Sequence, residues 1–255
     1  MKNYFLLGAS KGIGFGIALE LVKKGNRVFL GSRNPTNLEK AKEILDQIQP
    51  NFTLYESVDV SSYESMERWF NVGISKFGTI DGLLINYGGP PAGSFFDFHD
   101  KDWQQAFEFM LLNPIRLLRL SYPYLKQSQG SVLVITSLAV KEPIENLLLS
   151  NVFRSAITSL IKTLSFEWAP EVRLNCLMPG RIDTDRIREL EEKNATKWQK
   201  TASEIREEFL KKIPLKRYGT IEEIGKTGAF LLSEESSYIT GTSILVDGGI
   251  SRSLF

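Results

Sequence analysis

The chain has 255 residues, 24 % charged and 42 % hydrophobic, with a formal net charge of +1. That length suits one large α/β domain, and the near-neutral charge argues against a polyanionic partner such as nucleic acid. A single cysteine, Cys176, excludes an internal disulfide and fits a reducing, cytoplasmic setting; no apolar run reaches membrane-spanning length, and Tyr4–Leu7 is too short for a signal-peptide core.

Lys2–Leu7 reads as a short strand buried on both faces. It breaks at Gly8-Ala9-Ser10-Lys11-Gly12-Ile13-Gly14, after which Ile17, Ala18, Leu21 and Val22 follow at helical spacing. Gly25-Asn26 stops that helix, and Arg27–Leu30 is a second strand. Strand, glycine turn, helix, strand is the unit that sets a pyrophosphate on a helix N-terminus, where free N–H groups and the dipole favour negative charge. A Cβ in the turn would block either the bend or the approach of phosphate oxygens. The spacing here is G-x-x-x-G-x-G rather than the longer G-x-G-x-x-G fingerprint. A tight turn with no ligand is the alternative.

At the tip of the second strand an acidic residue would bind the ribose 2′-OH of NAD. Ser32 stands there, with Arg33 next and Lys11 in the glycine loop. A carboxylate would repel a 2′-phosphate, whereas a hydroxyl and two cations bind it through charge-assisted hydrogen bonds. The expected cofactor is therefore NADP(H) rather than NAD(H); the alternative leaves Arg33 and Lys11 as ordinary surface cations.

Further on, Leu38–Ile48 is an amphipathic helix, Phe52–Val58 a strand, Tyr63–Phe77 a helix and Asp81–Ile85 a strand. Trp103–Lys126 reads as a long helix interrupted by Pro114, Gly130–Thr136 as the fifth strand and Leu147–Trp168 as another long helix. Val172–Leu177 is the sixth strand, Ile221–Leu232 a helix and Ser243–Val246 the last strand. The stretch 185–212 is highly charged and helical, either a lid over the substrate end or a solvated hairpin. His99, the only histidine, has no partner motif, and no metal site is read. The alternation over residues 1–255 predicts a single Rossmann-like, doubly wound α/β domain, with a parallel sheet and helices on both faces.

The glycine loop, Asn86-Tyr87-Gly88-Gly89 after the fourth strand and Pro179-Gly180-Arg181-Ile182-Asp183-Thr184 after the sixth resemble the short-chain dehydrogenase/reductase family, over nearly the whole chain. The branch most similar is the 3-oxoacyl-carrier-protein reductase-like one. Leu7, Tyr87 and Gly88 depart from the family pattern. The resemblance implies that Gly8, Ser10, Lys11, Gly12, Ile13 and Gly14 hold the dinucleotide, with Asp59 and Val60 against the adenine. It implies Asn86 and Gly88 beside the crevice, and Pro179, Gly180, Ile182 and Thr184 over the nicotinamide.

The family's catalytic pattern is Ser, Tyr, Lys and Asn. Ser137 matches the first, but Ser150 falls where Tyr belongs and Arg154 where Lys belongs. The Asn position, whose main-chain carbonyl holds a relay water in the family, falls on Met110, with Asn113 one turn away. An aliphatic hydroxyl is a poor general acid, and Arg154 cannot shuttle a proton, although its donors suit ribose hydroxyls or an anionic substrate. With Pro114 unable to donate, a kink is expected, with a water or the Arg154 guanidinium on the Met110 carbonyl. Tyr87 is either a stand-in acid or a packing aromatic. Lys141, Glu142 and Glu145 either face the pocket or form a surface loop. The function implied is an NADP(H)-dependent oxidoreductase on a carbonyl or hydroxyl of a small-molecule substrate; the alternative is a cofactor-binding sensor or scaffold with little activity. The family also implies a homodimer or homotetramer, and the helices 103–126 and 147–168 carry more apolar residues than one buried stripe needs.

Overall fold

In the computed structural model, which describes residues 1–254, seven strands form one parallel sheet in the order β3-β2-β1-β4-β5-β6-β7. The strands are β1 (Asn3–Leu7), β2 (Arg27–Ser32), β3 (Thr53–Ser57), β4 (Gly82–Ile85), β5 (Ser131–Ile135), β6 (Arg173–Pro179) and β7 (Ser243–Val246). Parallel strands need crossovers, and nine helices among the described residues supply them: α1 (Gly12–Lys23), α2 (Pro35–Asp46), α3 (Tyr63–Phe77), α4 (Asp100–Phe107), α5 (Asn113–Ser128), α6 (Leu148–Glu167), α7 (Asp185–Trp198), α8 (Ala202–Lys212) and α9 (Ile221–Leu232). The doubly wound sheet and its two helical layers agree with the sequence reading.

Alternate residues of each strand feed different layers. Phe5 and Leu7 pack with Phe29, Trp69, Phe70 and Ile157 on one face, while Tyr4 and Leu6 join Ile17, Leu21, Val28 and Ile224 on the other. Helices α1 and α9 touch backbone to backbone: a Cβ on Gly16 would lie 2.2 Å from the Ile221 carbonyl oxygen.

Strand order reverses between β1 and β4, so the crevice opens at their carboxyl ends. Two elements differ from expectation. Helix α2 starts three residues before Leu38, because the Asn34 side chain accepts the Asn37 N–H at 3.1 Å and Pro35 opens the first turn. The long helix expected over 103–126 is instead α4, a π-helical turn at Glu108–Leu112, and α5. Among the described residues no helix is long and apolar enough to cross a membrane.

Candidate active site

The crevice is built by backbone. Gly8 follows β1 with φ +64°, and a Cβ there would lie 2.3 Å from the Asn86 carbonyl oxygen. Asn86, at the end of β4, donates its side-chain amide to the Gly8 carbonyl at 2.9 Å. Helices α2, α3, α7, α8 and α9 each begin with a side-chain cap, from Asn34, Ser62, Thr184, Thr201 and Thr220. Helix α1, like α5 and α6, has none; its cap residue is Lys11, and its first turn carries no acidic group. The uncapped N–H groups of Gly12, Ile13 and Gly14 fit a diphosphate.

A crevice of about 650 Å³ brings Ser32, Arg33, Asp59, Val60, Asn86 and Gly88 together. Ser61 donates its N–H and hydroxyl to the Asp59 carboxylate at 3.0 and 2.8 Å. Those bonds, with a lesser contribution from the Arg33 charge, hold its pKa below the usual carboxylate range. Ser10 donates to the Ser32 hydroxyl at 2.9 Å and so joins the glycine loop to the tip of β2. Lys11 points elsewhere. Its ammonium lies 3.4 Å from Asp185, beside a second cavity that Ser10, Gly12 and Thr184 also line.

The turn after β6 is tied down on both sides. The Gly180 N–H donates to Val246 at 3.0 Å, and Asp183 N–H to Gly219 at 2.8 Å. Ile182 is buried, while the Thr184 side chain caps α7 and lines the cavity beside Gly12. Asp183 accepts from Arg206 at 2.9 Å and Arg188 at 3.3 Å, which link α8 and α7 to the turn. Glu191, 3 % exposed in α7, accepts the Tyr218 hydroxyl at 2.5 Å.

At the expected catalytic positions, the Ser137 hydroxyl accepts the Ala139 N–H at 3.1 Å. Ser150 is buried in the first turn of α6, and Arg154 lies one turn further on. The Arg154 guanidinium donates to the carbonyl of Ile135 at 2.6 Å, of Tyr87 at 3.0 Å and of Gly88 at 3.2 Å. It sits 4.7 Å from the centre of the Tyr87 ring. Three of its five N–H donors are thus engaged by the main chain.

The sequence reading expected a water or the Arg154 guanidinium on the Met110 carbonyl; instead the Tyr87 hydroxyl donates to it at 2.8 Å, and the guanidinium donates to other carbonyls. Burial pushes the Tyr87 pKa up to about 12, so the phenol stays protonated at neutral pH. Nor does Asn113 replace the lost Asn: its amide donates to the carbonyls of Val60 at 3.3 Å and Ser61 at 3.1 Å, anchoring the loop after β3. Glu142 accepts from the Ser251 hydroxyl at 3.0 Å, the Ser253 N–H at 2.8 Å and the Arg252 N–H, tying down the C-terminal tail. Sequence reasoning missed both the Tyr87–Met110 and Glu142–tail contacts. For the first, the signal was present in Tyr87's departure from the family pattern.

Comparison with known proteins places the fold and the family. The model of the family described as enoyl-(acyl carrier protein) reductase matches residues 8–251. The NADPH-dependent reductase BacG of Bacillus subtilis (strain 168) is 32 % identical over 256 residues, 99 % of each chain. The structure of YwfH, an NADPH-dependent reductase involved in bacilysin biosynthesis, superposes with a TM-score of 0.94 at 31 % identity, over 99 % of both chains. An NADPH-bound short-chain oxidoreductase of Pseudomonas aeruginosa PAO1, described as containing an atypical catalytic center, superposes with a TM-score of 0.88 at 25 % identity, over 98 % of this chain and 97 % of that one. Over residues 8–251, nearly its whole length, the chain belongs to the short-chain dehydrogenase/reductase family.

Proposed function

We propose that the chain is an NADP(H)-dependent oxidoreductase acting on a carbonyl or hydroxyl group of a small molecule, of the 3-oxoacyl reductase-like kind, with Ser150 and Arg154 in place of Tyr and Lys. The observation that carries the reading is the uncapped start of α1, opening beside a β2 tip that bears Ser32 and Arg33 and no carboxylate. Three NADPH-linked relatives support it.

The nicotinamide, when bound, supplies or accepts a hydride. The chain's own residues do the rest. The Gly8–Gly14 backbone would hold the diphosphate, Ser10, Ser32 and Arg33 the 2′-phosphate end, Asp59 and Val60 the adenine, and the Pro179–Thr184 backbone the nicotinamide. The Ser137 and Ser150 hydroxyls orient the substrate oxygen and stabilise charge on it. Neither ionises near neutral pH, so the proton comes from solvent or from the substrate itself. A positioned general acid is typically worth ~10²–10⁴-fold, so turnover of unactivated ketones is slow. Helices α7 and α8 form the lid over the substrate end, and the outer faces of α5 and α6 carry a homodimer or homotetramer.

A second reading, an NADP(H)-binding sensor or scaffold with little turnover, draws support from the engaged Tyr87 hydroxyl and Arg154 donors. NADPH oxidation followed at 340 nm against a panel of 3-oxoacyl thioesters, ketones and activated carbonyls, ~340 nm being the usual reduced-nicotinamide band, separates the two. Turnover that falls with Ser150→Ala supports the enzyme, and NADPH binding with no turnover of any substrate supports the sensor.

A further inference from the structure

We propose that Tyr87 and Arg154 are a coupled pair of positioning residues that fix the floor of the crevice and take no part in proton transfer. The inference rests on the cofactor reading above.

Pro114 has no N–H, so the carbonyl of Met110 loses the donor that a regular helix would provide. The chain answers with a π-helical turn, in which the Asn113 N–H donates to Glu108. The Met110 carbonyl is left inside the protein, where an unpaired acceptor is costly. The Tyr87 hydroxyl fills that need, and in doing so it fixes the plane of its ring. Phe109 packs edge-on against the ring, at 5.5 Å between centres.

The fixed ring then presents a face to Arg154, which is 6 % exposed and makes no ion pair among the described residues. A buried cation with no carboxylate is tolerated only where its donors are satisfied. Three main-chain carbonyls and the ring face satisfy this one. Two of those carbonyls, from Tyr87 and Gly88, belong to the strip that lines the crevice next to Asn86. The third, from Ile135, belongs to the end of β5. The guanidinium thereby clamps the loop after β4 to the neighbouring strand. Each member needs the other: the ring completes the surroundings of the cation, and the cation holds the backbone from which the ring projects. With its proton directed at a buried carbonyl, the Tyr87 hydroxyl is not aimed at a substrate.

The test compares Tyr87→Phe, Arg154→Lys and the double variant with the unmodified protein. The first arm is urea unfolding of the cofactor-free protein. Each single variant should lower the folding equilibrium constant about tenfold, and the double variant by much less than the product of the two. The second arm is NADPH affinity, read from nicotinamide fluorescence. Both single variants should weaken it by a similar factor, about three- to tenfold, while Tyr87→Phe keeps the pH profile of turnover. Additive losses in the first arm would overturn the coupling. A collapse of kcat in Tyr87→Phe with unchanged NADPH affinity and a lost pH limb would make Tyr87 a proton donor and overturn the proposal outright. The unfolding arm needs no cofactor, so a protein that bound no NADPH would refute the functional reading while the pair was still decided by its stability.

Discussion

Ser32 and Arg33 line the crevice at the tip of β2, where the proposed function puts the choice of dinucleotide. Each charge-assisted hydrogen bond to a 2′-phosphate contributes about 1.5–3 kcal/mol. Replacing Ser32 by Asp together with Arg33 by Ala should raise the NADPH dissociation constant more than tenfold and make NADH the tighter ligand in a fluorescence titration, ~tenfold being the least that one such bond implies. Lys11, grouped with them on sequence grounds, lies beside Asp185 instead, so its replacement by Ala should change the preference less. Gly8 is a different kind of constraint. Its positive φ and the 2.3 Å approach of the Asn86 carbonyl leave no place for a methyl, and Gly8→Ala should cost about 1–3 kcal/mol in urea unfolding. Gly8 was legible because one residue type answers one local demand. What Tyr87, Asn113 and Glu142 do was not legible, since each bonds to a carbonyl or N–H brought close only by the fold.

The elements themselves were read where apolar periodicity was strong, as in α3, α6 and all seven strands. The start of α2 was missed because Pro35, Thr36 and Asn37 carry no apolar signal, although Asn34-Pro35 is a cap and first-turn pair. The π-turn was missed because sequence marks a proline's missing donor but not how the chain absorbs it. Helix α9 illustrates a cap with a pH signature. Glu223 accepts the Thr220 N–H at 2.9 Å and pairs both carboxylate oxygens with Arg217, at 2.6 and 2.8 Å. The Arg217 bonds depress its pKa from 4.5 to about 2. A depressed carboxylate stabilises the fold fully above its unfolded pKa, and the contribution fades as pH falls from about 4.5 towards 2. Glu223→Gln should flatten the acid limb of the unfolding midpoint in that window, by less than ~1 kcal/mol because the pair is solvent-screened. The α7–α8 pair hangs on a more buried contact. Tyr218→Phe removes the 2.5 Å bond to the Glu191 carboxylate, which should cost about 1.5–3 kcal/mol and speed limited proteolysis within 185–212.

At the scale of the whole molecule, the helix faces proposed for assembly are narrower than apolar content suggested. Leu117, Leu118, Ile157 and Ile161 are buried within the chain and belong to its core. The outward surface is a groove of about 280 Å³ between α5 and α6, lined by Ile115, Arg119, Tyr122, Leu160, Leu164 and Trp168. An apolar groove of this kind on adjacent helices fits a second copy, and light scattering at micromolar concentration should give at least a dimer; a monomer would exclude the assembly. The crevice at the reversal of strand order remains the centre of the account, and a direct titration of the unmodified protein with NADPH and NADH tests it. The predicted result is saturable NADPH binding at least about tenfold tighter than NADH, the least that one charge-assisted phosphate contact implies. Tighter binding of NADH, or no binding of either, would contradict it.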